Sequence, residues 1–180
     1  MSKNIYVIRH CEAEGQSADA PLTERGFIQA KELSTFLSRI KVDSVISSPF
    51  LRAIQTIEPL VKRKNMKMET DSRLTERVLS STFLPNWMEK LEATFYNMEL
   101  KYEGGESSIE ARNRIVEVVD DIMVNDFKNT VIVAHGGIIS LLLNYYDDNF
   151  GFEQWKKLSN PDVYHLNISY SDFDVKRIWA

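Results

Sequence analysis

The chain has 180 residues, of which 43% are hydrophobic and 27% are charged. This length corresponds to about one domain, and this composition excludes a disordered chain, a collagen and a coiled-coil rod. The net charge is −4, so no surplus of basic residues is available to neutralise nucleic-acid phosphates, and we expect no nucleic-acid partner.

The single cysteine, Cys11, excludes an intrachain disulfide and a zinc site built from several cysteines. The first residues lead into a short apolar run without a long hydrophobic region or a cleavage site, which predicts no signal peptide. The longest apolar stretch, residues 131–146, is broken at His135-Gly136-Gly137 and is too short to span a membrane. We therefore expect a cytoplasmic protein with no membrane partner.

Strands and helices alternate in the first part of the chain. Residues 5–8 are β-branched or aromatic and predict a buried strand, and the polar residues 9–20 predict a loop. Thr23 is a predicted helix cap, and the apolar residues that follow it recur at helical spacing: Ala30, Leu33, Phe36, Leu37 and Ile40.

A second strand is predicted at residues 42–46, and Ser47-Ser48-Pro49 then marks the start of another helix, because proline suits a first helical turn. The apolar face of this helix consists of Leu51, Ile54, Ile57, Leu60 and Val61. Residues 66–68 predict a short third strand.

The second half continues this alternation. A helix is predicted at residues 86–100, and Ser107 or Ser108 then caps a long amphipathic helix. Residues 130–134 form an uninterrupted apolar run, as expected of a strand covered on both faces, and a helix is predicted at 138–146. The chain ends in a predicted hairpin of strands 163–170 and 173–179. This order predicts a single α/β domain over residues 1–180, a three-layer α/β/α sandwich with a mostly parallel sheet.

Unusual residues follow three of the predicted strands. The first strand ends in Arg9-His10, the second is followed by Arg52 one turn into a helix, and the strand at 130–134 ends in His135-Gly136-Gly137. Ligands of open parallel sheets bind beyond the carboxyl ends of the strands. Arginine forks and helix N-termini both attract phosphate, so these strand ends predict a phosphate site.

Histidine in such a site can act as a nucleophile, because an imidazole with an ordinary pKa near 6.5 is largely neutral at neutral pH. A leaving alcohol also needs a proton donor, which a carboxyl group can supply. The residue types at these strand ends are therefore suited to phosphoryl transfer.

Five motifs, read together and in order, resemble the histidine phosphatase superfamily, which has the phosphoglycerate-mutase-like fold. They are Arg9-His10-Cys11-Glu12, Pro21-Leu22-Thr23-Glu24-Arg25-Gly26, the run from Ser47 to Thr56, Gly105-Glu106-Ser107, and Val133-Ala134-His135-Gly136-Gly137. Each motif alone is weak, whereas the ordered set is specific. The resemblance departs at Cys11, where the family usually has glycine, and after Glu76, where a common Trp-Glu-Gly segment is missing.

The resemblance implies a role for each matching residue. His10 matches the nucleophile that becomes phosphohistidine, and Glu76 resembles the acid that protonates the leaving group. The implied phosphate-binding set is Arg9, Arg52, His135, Gln16 and the backbone N–H of Gly136, with His135 also counted as catalytic. Glu12, Glu14 and Glu106 are rival carboxylates for the acid. No metal or cofactor is implied.

The implied activity is metal-independent hydrolysis of a small phosphorylated metabolite with release of inorganic phosphate. Alternatives are a phosphoglycerate-type mutase, a protein phosphohistidine phosphatase, a non-catalytic phosphate-binding module, and a metal hydrolase built on His10, His135 and Glu76. The sequence also leaves a homodimer as an alternative to a monomer. The family uses the segment corresponding to 72–105 to wall its pocket, and its aromatic residues predict a core-facing surface or an apolar roof over the substrate: Phe83, Trp87, Phe95, Tyr96 and Tyr102.

Overall fold

The computed structural model describes residues Met1–Ala180 and contains one sheet of six strands. The strands are β1 Lys3–Arg9, β2 Ser44–Ser47, β3 Glu69–Thr70, β4 Asn129–Ala134, β5 Asp162–Ile168 and β6 Phe173–Arg177. Their order in the sheet is β3-β2-β4-β1-β5-β6. The first four in this order run parallel, and β5 and β6 add an antiparallel hairpin at one edge.

Six α-helices surround the sheet: α1 Glu24–Leu37, α2 Leu51–Arg63, α3 Trp87–Tyr96, α4 Ser108–Val124, α5 Gly136–Tyr146 and α6 Phe152–Lys156. The side chain of Thr23 caps α1 by accepting the Gly26 N–H at 2.9 Å, as the sequence predicts. Ser107 rather than Ser108 caps α4, where it forms a capping box with Glu110.

The alternation of side chains along the central strand β4 divides the core into two layers. Val131 and Val133 pack with α1 and α2, whereas Ile132 and Ala134 pack with α4 and α5. All six residues of β4 are buried, so the prediction of a strand covered on both faces is confirmed. This arrangement confirms the predicted three-layer α/β/α sandwich with a mostly parallel sheet.

Several predicted boundaries were wrong. The third strand is Glu69–Thr70 instead of 66–68, and the second begins at Ser44 and ends at Ser47. The helix predicted at 86–100 ends at Tyr96, and α5 begins at Gly136, so both glycines belong to the helix instead of preceding it. Pro49 lies outside α2, whose cap position is Phe50. Helix α6 was not predicted, because five residues are too few to establish a helical period.

No helix of the chain combines the length and the apolar character that crossing a membrane requires.

Candidate active site

The sheet order brings the three unusual strand ends together. Strand β4 lies between β1 and β2, and Arg9 at the end of β1 pairs with Ala134 at the end of β4. The His10 N–H donates to the Ala134 carbonyl at 3.1 Å, and the Ser48 N–H donates to the Val133 carbonyl at 2.8 Å. The predicted convergence is therefore present at the carboxyl edge of the parallel strands.

His10 is held in one tautomer by the backbone. Its Nδ1 lies 2.7 Å from the carbonyl oxygen of Cys11, which can only accept, so Nδ1 carries the ring proton and Nε2 carries the lone pair. Burial lowers the pKa of His10 to about 4, and the charges of Arg52 and Arg9 act in the same direction. The ring is therefore neutral at physiological pH, and Nε2 is the nitrogen whose lone pair could act as a nucleophile.

Arg52 lies against this nucleophilic nitrogen although it is only 1% exposed. Its Nε donates to His10 Nε2 at 3.3 Å, and its Nη1 donates to the carbonyl oxygens of Gln16 and Ser17 at 3.3 and 2.8 Å. The loop after β1 thus fixes the guanidinium beside His10 Nε2.

His135 completes the inner part of the pocket, with its ring centroid 5.1 Å from that of His10. Its Nε2 lies 2.8 Å from the Ser48 hydroxyl, whereas its Nδ1 is buried and has no hydrogen-bond partner in the protein. Burial and the nearby His10, Arg52 and Arg9 lower the pKa of His135 to about 2, so the ring is neutral. An orphaned nitrogen in a buried site is costly, which is consistent with a polar ligand at this position.

Two glycines allow charged groups to approach the start of α5. A Cβ on Gly136 would stand 2.9 Å from Arg9 Nε, and a Cβ on Gly137 would stand 2.6 Å from Glu76 Oε1. Arg9 Nη1 donates to the Leu158 carbonyl at 3.0 Å, while Arg9 Nε is buried without a partner in the protein. The N-terminus of α5 therefore lies between a cation and a carboxylate.

Glu76 accepts from three backbone N–H groups, two of which belong to this helix N-terminus. Oε1 accepts from Arg77 and Ile138, both at 2.8 Å, and Oε2 accepts from Gly137 at 2.9 Å. A carboxylate has about four acceptor positions, two on each oxygen. Oε1 is therefore saturated, and Oε2 keeps one position that can hold a proton or contact a water.

Arg114 of α4 braces the segment that carries Glu76, a role that no pattern in the sequence predicts. Its guanidinium donates to the carbonyl oxygens of Arg73, Thr75 and Glu76 at 2.6, 2.8 and 3.2 Å. It also donates to both carboxylate oxygens of Glu106, at 2.7 and 3.0 Å. Such a planar fork fixes backbone and carboxylate together.

The rival carboxylates lie elsewhere. Glu106 is occupied by Arg114 and by the Val78 N–H, and these bonds lower the pKa of its carboxyl group against the opposing effect of burial. Glu12 lies 3.8 Å from the exposed Arg25, and Glu14 is exposed. No three His, Cys, Asp or Glu side chains form a group suited to a metal ion, so His10, His135 and Glu76 do not make the three-ligand site of the metal-hydrolase alternative.

A cavity of about 420 Å³ opens above this pocket. Its lining consists of Arg9, Gln16, Glu76, Arg77, Leu79, Trp87, Leu91, Gly137 and Trp155. Five of these residues come from the segment 72–105, and Trp155 comes from the unpredicted helix α6. His10, Arg52 and His135 are buried deeper, with exposures of 7%, 1% and 0%.

Other predicted residues differ in their placement. Gln16 is exposed at the rim of the cavity, where its backbone carbonyl holds Arg52. Of the predicted aromatic roof only Trp87 lines this cavity: Phe83 and Tyr96 are 83% and 80% exposed, and Phe95 packs on Phe152. Cys11 is fully buried, and burial raises the pKa of its thiol to about 12, so it remains a protonated core side chain.

Comparisons with known proteins agree with this geometry. Over 145 residues the chain is 28% identical to phosphoserine phosphatase 1 of Hydrogenobacter thermophilus, which covers 72% of this chain and 69% of that protein. It is 39% identical over 86 residues to the mouse fructose-2,6-bisphosphatase TIGAR, an alignment that covers 41% of this chain and 32% of that longer protein.

Solved structures share the fold. A mycobacterial glucosyl-3-phosphoglycerate phosphatase superposes with a TM-score of 0.80 at 21% identity, covering 98% of each chain. A phosphoglycerate mutase from Bacillus anthracis superposes with a TM-score of 0.78 at 20% identity, covering 98% of this chain and 92% of the other. Residues 5–179 match the sequence family described as the histidine phosphatase superfamily, branch 1. With this match over nearly its whole length, and with two histidines and two arginines gathered at the strand ends, the chain belongs to the histidine phosphatase superfamily.

Proposed function

We propose that this protein hydrolyses small phosphate monoesters through a phosphohistidine on His10 and releases inorganic phosphate. The observation that carries the proposal is the state of His10: its Nδ1–H is bound to the Cys11 carbonyl, so the neutral ring has its lone pair on Nε2, where it accepts from Arg52 Nε. Attack on phosphorus then requires this Arg52 N–H to turn from Nε2 to a phosphate oxygen. A neutral, oriented imidazole next to a fixed guanidinium is what in-line attack on a phosphate requires.

The phosphate oxygens would be held by Arg9, Arg52 and His135. Arg9 Nε and His135 Nδ1 are buried polar atoms without partners in the protein, and Arg52 Nε already lies at the nucleophile. When the Ser48 hydroxyl donates to His135 Nε2, the proton of the neutral ring is on Nδ1, which then donates to phosphate. The N-terminus of α5 adds its partial positive charge, with the Gly136 N–H as a further donor.

In the first step the Nε2–P bond forms as the ester P–O bond breaks. Glu76 gives a proton from Oε2 to the leaving oxygen, because Oε1 is saturated by backbone donors and Oε2 has the free position. In the second step Glu76 Oε2 takes a proton from water as the water oxygen attacks phosphorus. The N–P bond then breaks, and inorganic phosphate leaves with His10 neutral again.

The names of similar proteins support the proposed phosphatase activity. Two of the similar proteins carry the names phosphoserine phosphatase 1 and fructose-2,6-bisphosphatase, and a structural neighbour is a glucosyl-3-phosphoglycerate phosphatase. All three names describe removal of a phosphate from a small molecule. The chain itself supplies a nucleophile, a phosphate pocket and a proton donor for that reaction.

The experiment is release of inorganic phosphate from a panel of monoesters by the wild type and by His10→Ala. We expect turnover by the wild type in the presence of a chelator and none by His10→Ala. His165→Ala is the matched control, because His165 stacks on Tyr6 at 4.7 Å on β5 and takes no part in the pocket. Rapid quenching should trap a phosphoryl group on His10, visible as a mass increase on its peptide.

The alternatives give different results in the same assay. A mutase would interconvert phosphoglycerates faster than it releases phosphate. A non-catalytic module would bind phosphate, but its His10 peptide would show no mass increase. A protein phosphohistidine phosphatase would act on phosphorylated histidine in a protein, and its nitrogen leaving group would make the proton that Glu76 gives in the first step less important. Full activity of His10→Ala would overturn the proposal.

A further inference from the structure

We propose that the cavity above the phosphate pocket binds the alcohol part of the substrate, and that this part is uncharged and carries an aromatic or bulky apolar group. The inference rests on the proposed phosphatase function and adds the substrate class. The cavity volume of about 420 Å³ falls in the range of about 300–1,000 Å³ that is usual for small-molecule sites.

Two tryptophans from separate elements form the walls of this cavity. Trp87 is the first residue of α3 and is 45% exposed, and Trp155 lies in α6. Leu79 and the buried Leu91 add aliphatic surface to the lining. Large exposed indole surface beside a polar pocket is costly to leave in water, and it provides faces on which a planar ring can stack.

The aromatic wall is physically linked to the phosphate end. Arg9 donates to the carbonyl oxygen of Leu158, and the Leu158 N–H donates in turn to the carbonyl oxygen of Trp155 at 3.2 Å. Trp155 is also stacked on the buried Phe152, with ring centroids 5.5 Å apart. Residues 155–158 therefore place the Trp155 indole in the cavity wall and also orient the phosphate-binding guanidinium of Arg9.

The opposite wall is rigid because two backbone segments lie in direct contact. A Cβ on Gly105 would stand 2.1 Å from the Leu79 carbonyl oxygen, so only glycine permits this approach. The Glu106 N–H donates to the Val78 carbonyl at 2.7 Å, and the Ser81 N–H donates to the Glu103 carbonyl at 2.9 Å. These bonds fix Leu79 in the cavity wall.

The charges of the lining exclude a second anionic group on the substrate. Its only cations are Arg9, which belongs to the phosphate end, and Arg77. Arg77 is directed into the protein: it donates to Thr94, Ser108 and the Glu106 carbonyl at 3.2, 2.9 and 2.7 Å. Arg77 Nε is buried without a partner in the protein, but Nη1 and Nη2 are both engaged. A carboxylate or second phosphate would therefore lose its water for at most one donor of Arg77, and it would lie near the Glu76 carboxylate, which is unfavourable.

A second hollow of about 200 Å³ extends the site outward. It shares Leu79 and Trp87 with the cavity, and it adds Phe83 and Leu84. An apolar group longer than one ring could therefore pass beside Trp87 and remain in contact with carbon atoms of the protein.

The test compares phenylpropyl phosphate with propyl phosphate, because the two leaving alcohols have similar acidity and differ only in the ring. We expect kcat/KM for the phenylpropyl ester to exceed that for the propyl ester by about tenfold or more. We expect phosphoserine and phosphoglycerate to be poorer substrates than phenylpropyl phosphate. Equal kcat/KM for the two alkyl esters would overturn the inference.

Substitutions of the tryptophans test which residues produce the preference for the phenylpropyl ester. Trp87→Leu and Trp155→Leu should each lower the phenylpropyl preference, which is the ratio of kcat/KM for phenylpropyl phosphate to that for propyl phosphate, by about three- to tenfold. Trp179→Leu is the control, because this third tryptophan packs edge-on against Phe36, with ring centroids 5.1 Å apart. A preference that survives both cavity substitutions would contradict the assignment of the walls.

Binding of phosphonates separates this inference from the proposed function. Phenylpropylphosphonate and propylphosphonate cannot be hydrolysed, and their dissociation constants can be measured by calorimetry for the wild type. Tighter binding of the phenyl compound, lost in Trp87→Leu and Trp155→Leu, supports the subsite even if no ester is turned over. Equal binding with active hydrolysis refutes the subsite and leaves the phosphatase proposal intact.

Discussion

The sequence Leu-Thr-Glu-Arg occurs twice, at residues 22–25 and 74–77, in two different structures. In the first copy Thr23 caps α1, Glu24 lies exposed in the first helical turn, and the Arg25 side chain is 78% exposed. In the second copy the backbone leaves a short 3-10 helix in extended conformation, and Arg77 is only 7% exposed.

Both glutamates lie at a helix N-terminus, but the helices are related to them differently. Glu24 belongs to the helix that it begins, whereas Glu76 accepts N–H groups from α5, about sixty residues further along the chain. The comparison teaches that identical tetrapeptides acquire different chemistry from the elements that close around them. Three pairs of variants at matching positions of the two copies, and one pair on the bracing helix α4, test this contrast, from the largest expected effect to the smallest.

Glu76→Gln should lower kcat for propyl phosphate by about 10²–10⁴, the usual share of a general acid and base. Glu24→Gln should leave kcat unchanged, because Glu24 lies in an exposed turn outside the pocket. Steady-state phosphate release measures both. A normal rate in Glu76→Gln would assign the proton to another group and remove the functional contrast between the copies.

Arg114→Gln should lower kcat for propyl phosphate by up to about 10², because the segment that carries Glu76 loses its brace and the carboxyl group is displaced. Nitrophenyl phosphate should be affected less, since nitrophenolate leaves with little need of a proton. Arg112→Gln, on the same helix and bonded to Asn144, is the matched control. Equal losses with both esters would indicate a general structural role in place of positioning of Glu76.

Arg77→Gln should lower the free energy of unfolding by about 2 kcal/mol, because three hydrogen bonds to buried or half-buried groups are lost. Arg25→Gln should change it by less than about 0.5 kcal/mol, as expected of an exposed residue whose ion pair spans 3.8 Å. Chemical denaturation measures both values. Similar losses of unfolding free energy in the two variants would mean that Arg77 and Arg25 contribute equally to stability.

Thr23→Ala should cost about 1 kcal/mol of unfolding free energy, because it removes the cap of α1. Thr75→Ala should cost less than about 0.5 kcal/mol, since its hydroxyl only donates to the Ser72 carbonyl within a turn. Thermal and chemical denaturation of the pair provide the measurement. The reverse order would show that the second copy depends on its threonine more than the first.

Much of the candidate site could be predicted because its residues follow strands. Arg9, His10, Arg52 and His135 sit at or just after the ends of β1, β2 and β4, and adjacent parallel strands bring such residues to one edge. The resemblance to a known family added Glu76, which has no periodic or capping signal of its own. The roles of these residues remain predictions that the variants above test.

Other parts of the site had no signal in the sequence. Arg114 is one of two arginines on the amphipathic helix α4, and nothing local distinguishes it from Arg112. Trp155 lies in a helix of five residues, too short for a pattern. Of the two alternatives for the aromatic residues of 72–105, a core-facing surface or a roof, the roof applies only to Trp87. A segment without a clear period does not indicate which of its aromatic side chains face the cavity.

The sequence by itself determined the alternation of strands and helices, the fully buried strand at the centre and the charged residues that follow the strand ends. These depend on hydrophobic period and turn chemistry, which act between near neighbours in the chain. Only the tertiary structure decided which Leu-Thr-Glu-Arg would meet the N-terminus of α5, which arginine would brace it and which tryptophans would line the cavity. Those outcomes depend on contacts between residues far apart in the chain, and they follow from how the layers pack rather than from any local pattern.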